Sequence, residues 1–164
     1  MTTRNRTGLK LVAAAMLGAV AMAALNHPAM PNVGLIAVAQ DAATPRVAIQ
    51  MSENDPKAMN LALNNAANVA AHYKALGKKA EIQIVAYGPG LHMLRADSSP
   101  VKSRVATMSL EIEGLSFAAC GNTRANMAKQ EGADIALVSE AKVVPSGVVT
   151  LLELQQRGYA YIRP

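Results

Sequence analysis

The chain has one cysteine, no tryptophan and only 3% aromatic residues among its 164 positions. A single cysteine excludes an internal disulfide, so Cys120 is a small buried hydrophobe, a link between chains, or a working thiol. The absence of any C-x-x-C pair removes thioredoxin-type exchange. No G-x-G-x-x-G follows the first predicted strand and no Walker loop is present, so neither a dinucleotide site nor nucleotide hydrolysis is supported. Metal-ligand spacing is also missing: His27 lies near the start of the chain, His72 falls within a predicted helix, and His92 stands alone in a predicted loop. No metal and no cofactor is therefore expected. No Ser/His/Asp set can be assembled. With aromatics this scarce, the core must be built from Ala, Val, Leu, Ile and Met, which make up most of the 51% hydrophobic content.

The length suits one domain. The first 39 residues differ from the rest. Arg4, Arg6 and Lys10 give a basic start, residues 11–25 are an uncharged run of apolar residues and glycine, and Asn26, His27, Pro28, Pro31 and Asn32 break it. Ala37-Val38-Ala39 before Gln40 fits a small-x-small cleavage pattern, so residues 1–39 read as a secretory signal peptide and the mature protein as periplasmic or secreted. The run is short for a membrane span, and no stable membrane insertion is expected after cleavage. A cut nearer residues 21–24, or an uncleaved anchor, are the alternatives. Without the leader, 13 basic residues face 11 acidic ones, a net charge of +2. The basic balance of the full chain is mostly a leader effect and gives no support for a nucleic-acid partner.

Beyond a linker at 40–45, residues 46–164 alternate short apolar runs with helical patterns. Strands are predicted at 46–51, 80–87, 115–119, 141–144 and 159–162. A helix follows Asp55 and Pro56, a good N-cap and a good first-turn residue, and carries Met59, Ala62, Leu63, Ala66, Ala70 and Tyr73 on one face. Further helices are predicted at 101–113, 124–131 and from Pro145 to Arg157, the last with Val148, Leu151, Leu152 and Leu154 as its apolar face. Residues 133–140 fit either helix or strand. Asn64, Asn65 and Asn68 read as solvent-facing. Strands and helices alternating through short Gly/Pro connections predict a parallel sheet with helices on both faces, a three-layer α/β/α domain.

In such open sheets ligands bind outside the carboxyl ends of the strands. Four loops fall there: 52–55, 88–93, 120–123 and 145–147. Cys120 is the only strong nucleophile among them, placed where a strand gives way to a helix start at Asn122-Thr123. Backbone N–H groups at a helix N-terminus favour a thiolate. Gly121 removes bulk beside the sulfur and permits unusual dihedrals. Gly88-Pro89-Gly90 turns the second loop sharply, and His92 within it is a candidate base or hydrogen-bond partner for Cys120.

Four segments carry a family resemblance: I-V-A-Y-G-P-G-L at 84–91, G-L-S-F-A-A-C-G-N-T at 114–123, V-V-P-S-G-V at 143–148, and L-Q-Q-R-G-Y-A-Y-I-R-P at 154–164. In their order and spacing the chain resembles the DsrE/DsrF-like sulfur-relay proteins. The resemblance implies a five-stranded, mainly parallel sheet and a homo-oligomer, trimeric or hexameric. It also implies a cysteine that carries sulfane sulfur as a persulfide between donor and acceptor proteins or small thiols. Cys120 is the matching position, with Gly121, Asn122, Thr123, His92, Gly88 and Gly90 as its expected surroundings. A thiol-independent binding module, in which Cys120 only packs, is the competing reading.

Overall fold

The computed structural model describes residues 44–164; the expected signal peptide and residues 40–43 of the expected linker lie outside the described residues. Five short runs rich in Ala, Val and Ile form strands β1 (Arg46–Met51), β2 (Glu81–Ala86), β3 (Leu115–Cys120), β4 (Ala141–Val144) and β5 (Ala160–Ile162). Four helices connect them: α1 (Pro56–Ala75), α2 (Lys102–Glu111), α3 (Gly121–Glu131) and α4 (Gly147–Gln156), with a 3₁₀ segment at Gly88–Leu94 after β2. The strand order is β4-β3-β2-β1-β5 and every strand pair is parallel. From β1 to β4 the chain steps one strand at a time in one direction. It then returns across the whole sheet to β5. A constant crossover hand puts the connections of the first three steps on one face and α4 on the other.

The two faces are unequal. Val47, Ile49, Met51, Ile82, Ile84, Ala86, Phe117 and Ala119 face α1, α2, α3 and the 3₁₀ segment and form the main core. The opposite face presents smaller groups, Ala48, Val85 and Ala118, to Leu151 and Leu154 of α4. Of the four residues expected on the apolar face of α4, only Leu151 and Leu154 point inward. Val148 and Leu152 are exposed, together with Val149. Its apolar residues spread over an arc too wide for periodicity alone to pick the buried side.

Local chemistry accounts for the element ends. Asp55 caps α1 by accepting from the Lys57 N–H at 2.9 Å, with Pro56 in the first turn as expected. Residues 133–140 are neither helix nor strand. They are held by an antiparallel bridge between Leu137 and Arg95 and by Arg124, which donates to Ile135 O and pairs with Asp134. Arg104 of α2 reaches across to α1, donating to the side chains of Asn60 and Asn64, so Asn64 ties two helices together while its surface stays exposed. No described helix is long and apolar enough to cross a membrane.

Candidate functional site

β3 runs one residue further than its apolar pattern predicts and ends on Cys120 itself. Helix α3 starts immediately after, at Gly121. Cys120 is therefore the N-cap residue of α3, and its Sγ accepts the Thr123 N–H at 3.5 Å. Thr123 is fixed in turn. Its Oγ1 accepts the Gly88 N–H at 2.9 Å, which leaves the hydroxyl proton free to point at the sulfur. The Asn122 N–H donates to Pro145 O at 3.2 Å, which fastens the start of α3 to the loop ahead of α4.

That loop supplies what the sequence does not reveal. α4 begins at Gly147, and the Gly147 N–H also favours the charged form of the thiol. The sulfur thus faces two helix N-termini, its own α3 and the crossover helix α4. Burial pushes the Cys120 thiol up; the Thr123 hydroxyl and the N–H groups of Gly147, Thr123 and Asn122 act the other way. The donors win, and the thiol lies below its ordinary value. The side chain is only 5% exposed, so the thiolate is held by the protein more than by water.

The glycines singled out in the sequence have separate tasks. A Cβ on Gly121 would lie 3.1 Å from Val144 O, so close approach of β4 explains this glycine; its φ is not left-handed and the unusual dihedrals expected there are not used. Gly88 does adopt a left-handed φ of 53°, which aims its N–H at Thr123. Gly90 rests on the end of β1, where a Cβ would sit 2.3 Å from Met51 O. It sets the 3₁₀ segment in place, its N–H donating to Tyr87 O at 3.1 Å. Gly147 lies against Tyr87, and a Cβ there would come within 2.8 Å of the Tyr87 Cβ.

His92 takes no part in holding the sulfur. Its Nδ1 lies 3.4 Å from Ser98 Oγ, and that hydroxyl donates to Asp97 at 3.1 Å. It belongs to a second cluster built on Arg95, the one buried charged side chain among the described residues. Arg95 donates to both carboxylate oxygens of Asp97, at 2.9 and 2.7 Å, and to Glu131 at the end of α3. The guanidinium holds the Asp97 carboxyl well below the usual range and lowers Glu131 as well. This cluster locks the segment after β2 to α3. Tyr87 is half-buried. One residue past the Ala86–Ala119 pair, it stands beside Cys120 on the α4 face.

A search of curated protein sequences finds no significant match. Among solved structures, the chain is similar to a protein of unknown function, MTH1491, from Methanobacterium thermoautotrophicum. The two share 32% sequence identity with a TM-score of 0.62, over 73% of this chain and 99% of that one. The model of the DsrE/DsrF-like family matches residues 46–164, the whole of the described sheet and its helices. The chain belongs to the DsrE/DsrF-like family.

Proposed function

We propose that the protein is an exported sulfur carrier in which Cys120 accepts and passes on sulfane sulfur as a persulfide. The observation that carries this reading is one buried sulfur that accepts the Thr123 N–H at its own helix start, with the Thr123 hydroxyl and Gly147 at the start of α4 acting on the same thiol. An inert packing cysteine has no use for such a set, which favours negative charge. In the loading step the Cys120 thiolate attacks the terminal sulfur of a donor persulfide, R–S–SH. The new S–S bond forms at Cys120 as the donor S–S bond breaks, and the electron pair leaves with R–S⁻. The proton stays with the terminal sulfur, or is lost from it to solvent. Delivery is the same exchange run towards an acceptor thiolate, so no external oxidant or reductant is needed. The same N–H groups that favour the thiolate favour the persulfide anion.

Export rests on the signal-peptide pattern of residues 1–39, and places the carrier in the periplasm or outside the cell. N-terminal sequencing of the protein from the exported fraction checks this; a start at Gln40 is expected, and a full-length cytoplasmic product contradicts it. Homo-oligomer assembly is supported by the α4 face. One helix covers the second face of a five-stranded parallel sheet, and Val148, Val149 and Leu152 on its outer side are about half exposed.

The competing reading, a thiol-independent binding module, draws on the low exposure of Cys120. Alkylation separates the two. The carrier reading expects rapid modification at neutral pH, lost in Cys120→Ser; a slowly reacting thiol supports the binding module.

A further inference from the structure

The carboxyl ends of β2, β1 and β5 carry a polar row that the core does not need. Tyr161 donates from its hydroxyl to Gln50 Oε1, and Gln50 Nε2 donates to Ser52 Oγ at 3.1 Å. Ser52, Tyr161 and Arg163 are all near enough to act on the Tyr87 hydroxyl. Tyr87 is the neighbour of Cys120 and supports the start of α4 at Gly147. The row therefore leads from the sulfur across the sheet to β5. Deeper on this face the sheet is apolar, with Ala48, Val85 and Ala118 under α4. The polar row is confined to the edge where ligands of open parallel sheets bind.

We propose that Tyr87, Ser52, Gln50, Tyr161 and Arg163 form a recognition subsite for the carboxylate-bearing body of a small thiol-persulfide donor whose terminal sulfur is delivered to Cys120. The inference rests on the carrier reading and names its substrate class. Tyr161 is 43% exposed. Among the described residues Arg163 pairs with Glu53, at 3.1 Å, and both side chains are more than half exposed. Such a pair contributes little, so the guanidinium exchanges Glu53 for a ligand carboxylate at small cost and can grip it with two parallel hydrogen bonds. Serine and tyrosine hydroxyls and the Gln50 amide offer partners for amide groups along the ligand. Two strands lie between β3 and β5, a span of about 14 Å at ~4.8 Å per strand. An inorganic sulfane such as thiosulfate is too short to touch both ends; a peptide-like thiol is not.

The test compares two disulfides as probes of Cys120: glutathione disulfide, which carries carboxylates and amides, and the short, neutral bis(2-hydroxyethyl) disulfide. In both, the Cys120 thiolate attacks one sulfur, the probe S–S bond breaks, and one thiolate leaves. Intact-mass spectrometry follows the mixed disulfide. In Arg163→Gln the ratio of the glutathione rate to the hydroxyethyl rate is expected to fall about tenfold, the loss of roughly one charge-assisted contact. Tyr161→Phe, which keeps the ring and the local charge, is expected to lower the ratio by a smaller factor. A ratio unmoved in both variants overturns the subsite and leaves the carrier reading standing. A wild-type Cys120 that reacts with neither probe overturns the carrier reading and the subsite with it.

Discussion

At the scale of single residues, the chemistry reduces to a contest at Cys120 between burial and hydrogen-bond donation. Thr123 is the donor most open to test, because Gly88 fixes its hydroxyl. Thr123→Val keeps the volume and removes the O–H. The thiol is expected to move up, and alkylation at neutral pH to slow severalfold while the rate at high pH changes little, as read from a pH–rate profile. A second expectation follows by linkage. The folded thiol lies below its unfolded value, so the folded state binds the proton less tightly than the unfolded state. The resulting stability is complete above the unfolded value of ~8.5 and is lost as pH falls through the folded one. The melting temperature of the wild type relative to Cys120→Ser should therefore rise from about pH 6 to about pH 9. A difference that stays flat or falls across that range contradicts the donor geometry.

At the scale of elements, the site depends on close approaches that only glycine permits. Gly90→Ala drives a Cβ into the Met51 carbonyl at the end of β1 and is expected to destabilise the fold by about 2 kcal/mol, measured by urea unfolding. Gly147→Ala meets the Tyr87 side chain, which can shift. Its larger effect should be on Cys120, because the α4 N-terminus moves away from the sulfur, and alkylation should slow more than stability falls. The Arg95 cluster makes an acid-side prediction. Asp97 and Glu131 both lie below their ordinary values, so their contribution is present above the unfolded carboxyl range near pH 4 and is lost as pH falls below it. Arg95→Leu should accordingly lower the urea midpoint at neutral pH and matter progressively less in acid. The strands were legible because each is a short apolar run closed by Gly, Pro or Asn, and α1 because Asp55-Pro56 announces it. The outward turn of Val148 and Leu152 was not, since an apolar arc as wide as that of α4 carries little directional signal. Gly147 acts on Cys120 from 27 residues away in sequence, and the pairing of β4 beside β3, Val144 against Cys120, brings the two together. His92 shares a loop with Gly88, but the 3₁₀ segment turns its ring towards Ser98.

At the scale of the whole molecule, an all-parallel sheet gathers every strand's carboxyl end on one edge, and the return through α4 places a second helix start over β3. The same return leaves one face thinly covered, with the apolar side of α4 outward beside the sulfur. If that side is the oligomer contact, Leu152→Glu should convert the assembly to monomers by light scattering without loss of helical content, since Leu152 makes no part of the described core. Carrier function itself is tested most directly by intact-mass spectrometry of the purified mature protein after exposure to polysulfide under non-reducing conditions. The account predicts a gain equal to one sulfur atom per chain, removed by a thiol acceptor and absent from Cys120→Ser. A wild-type protein whose mass does not change, or a Cys120→Ser protein that gains the same mass, contradicts it.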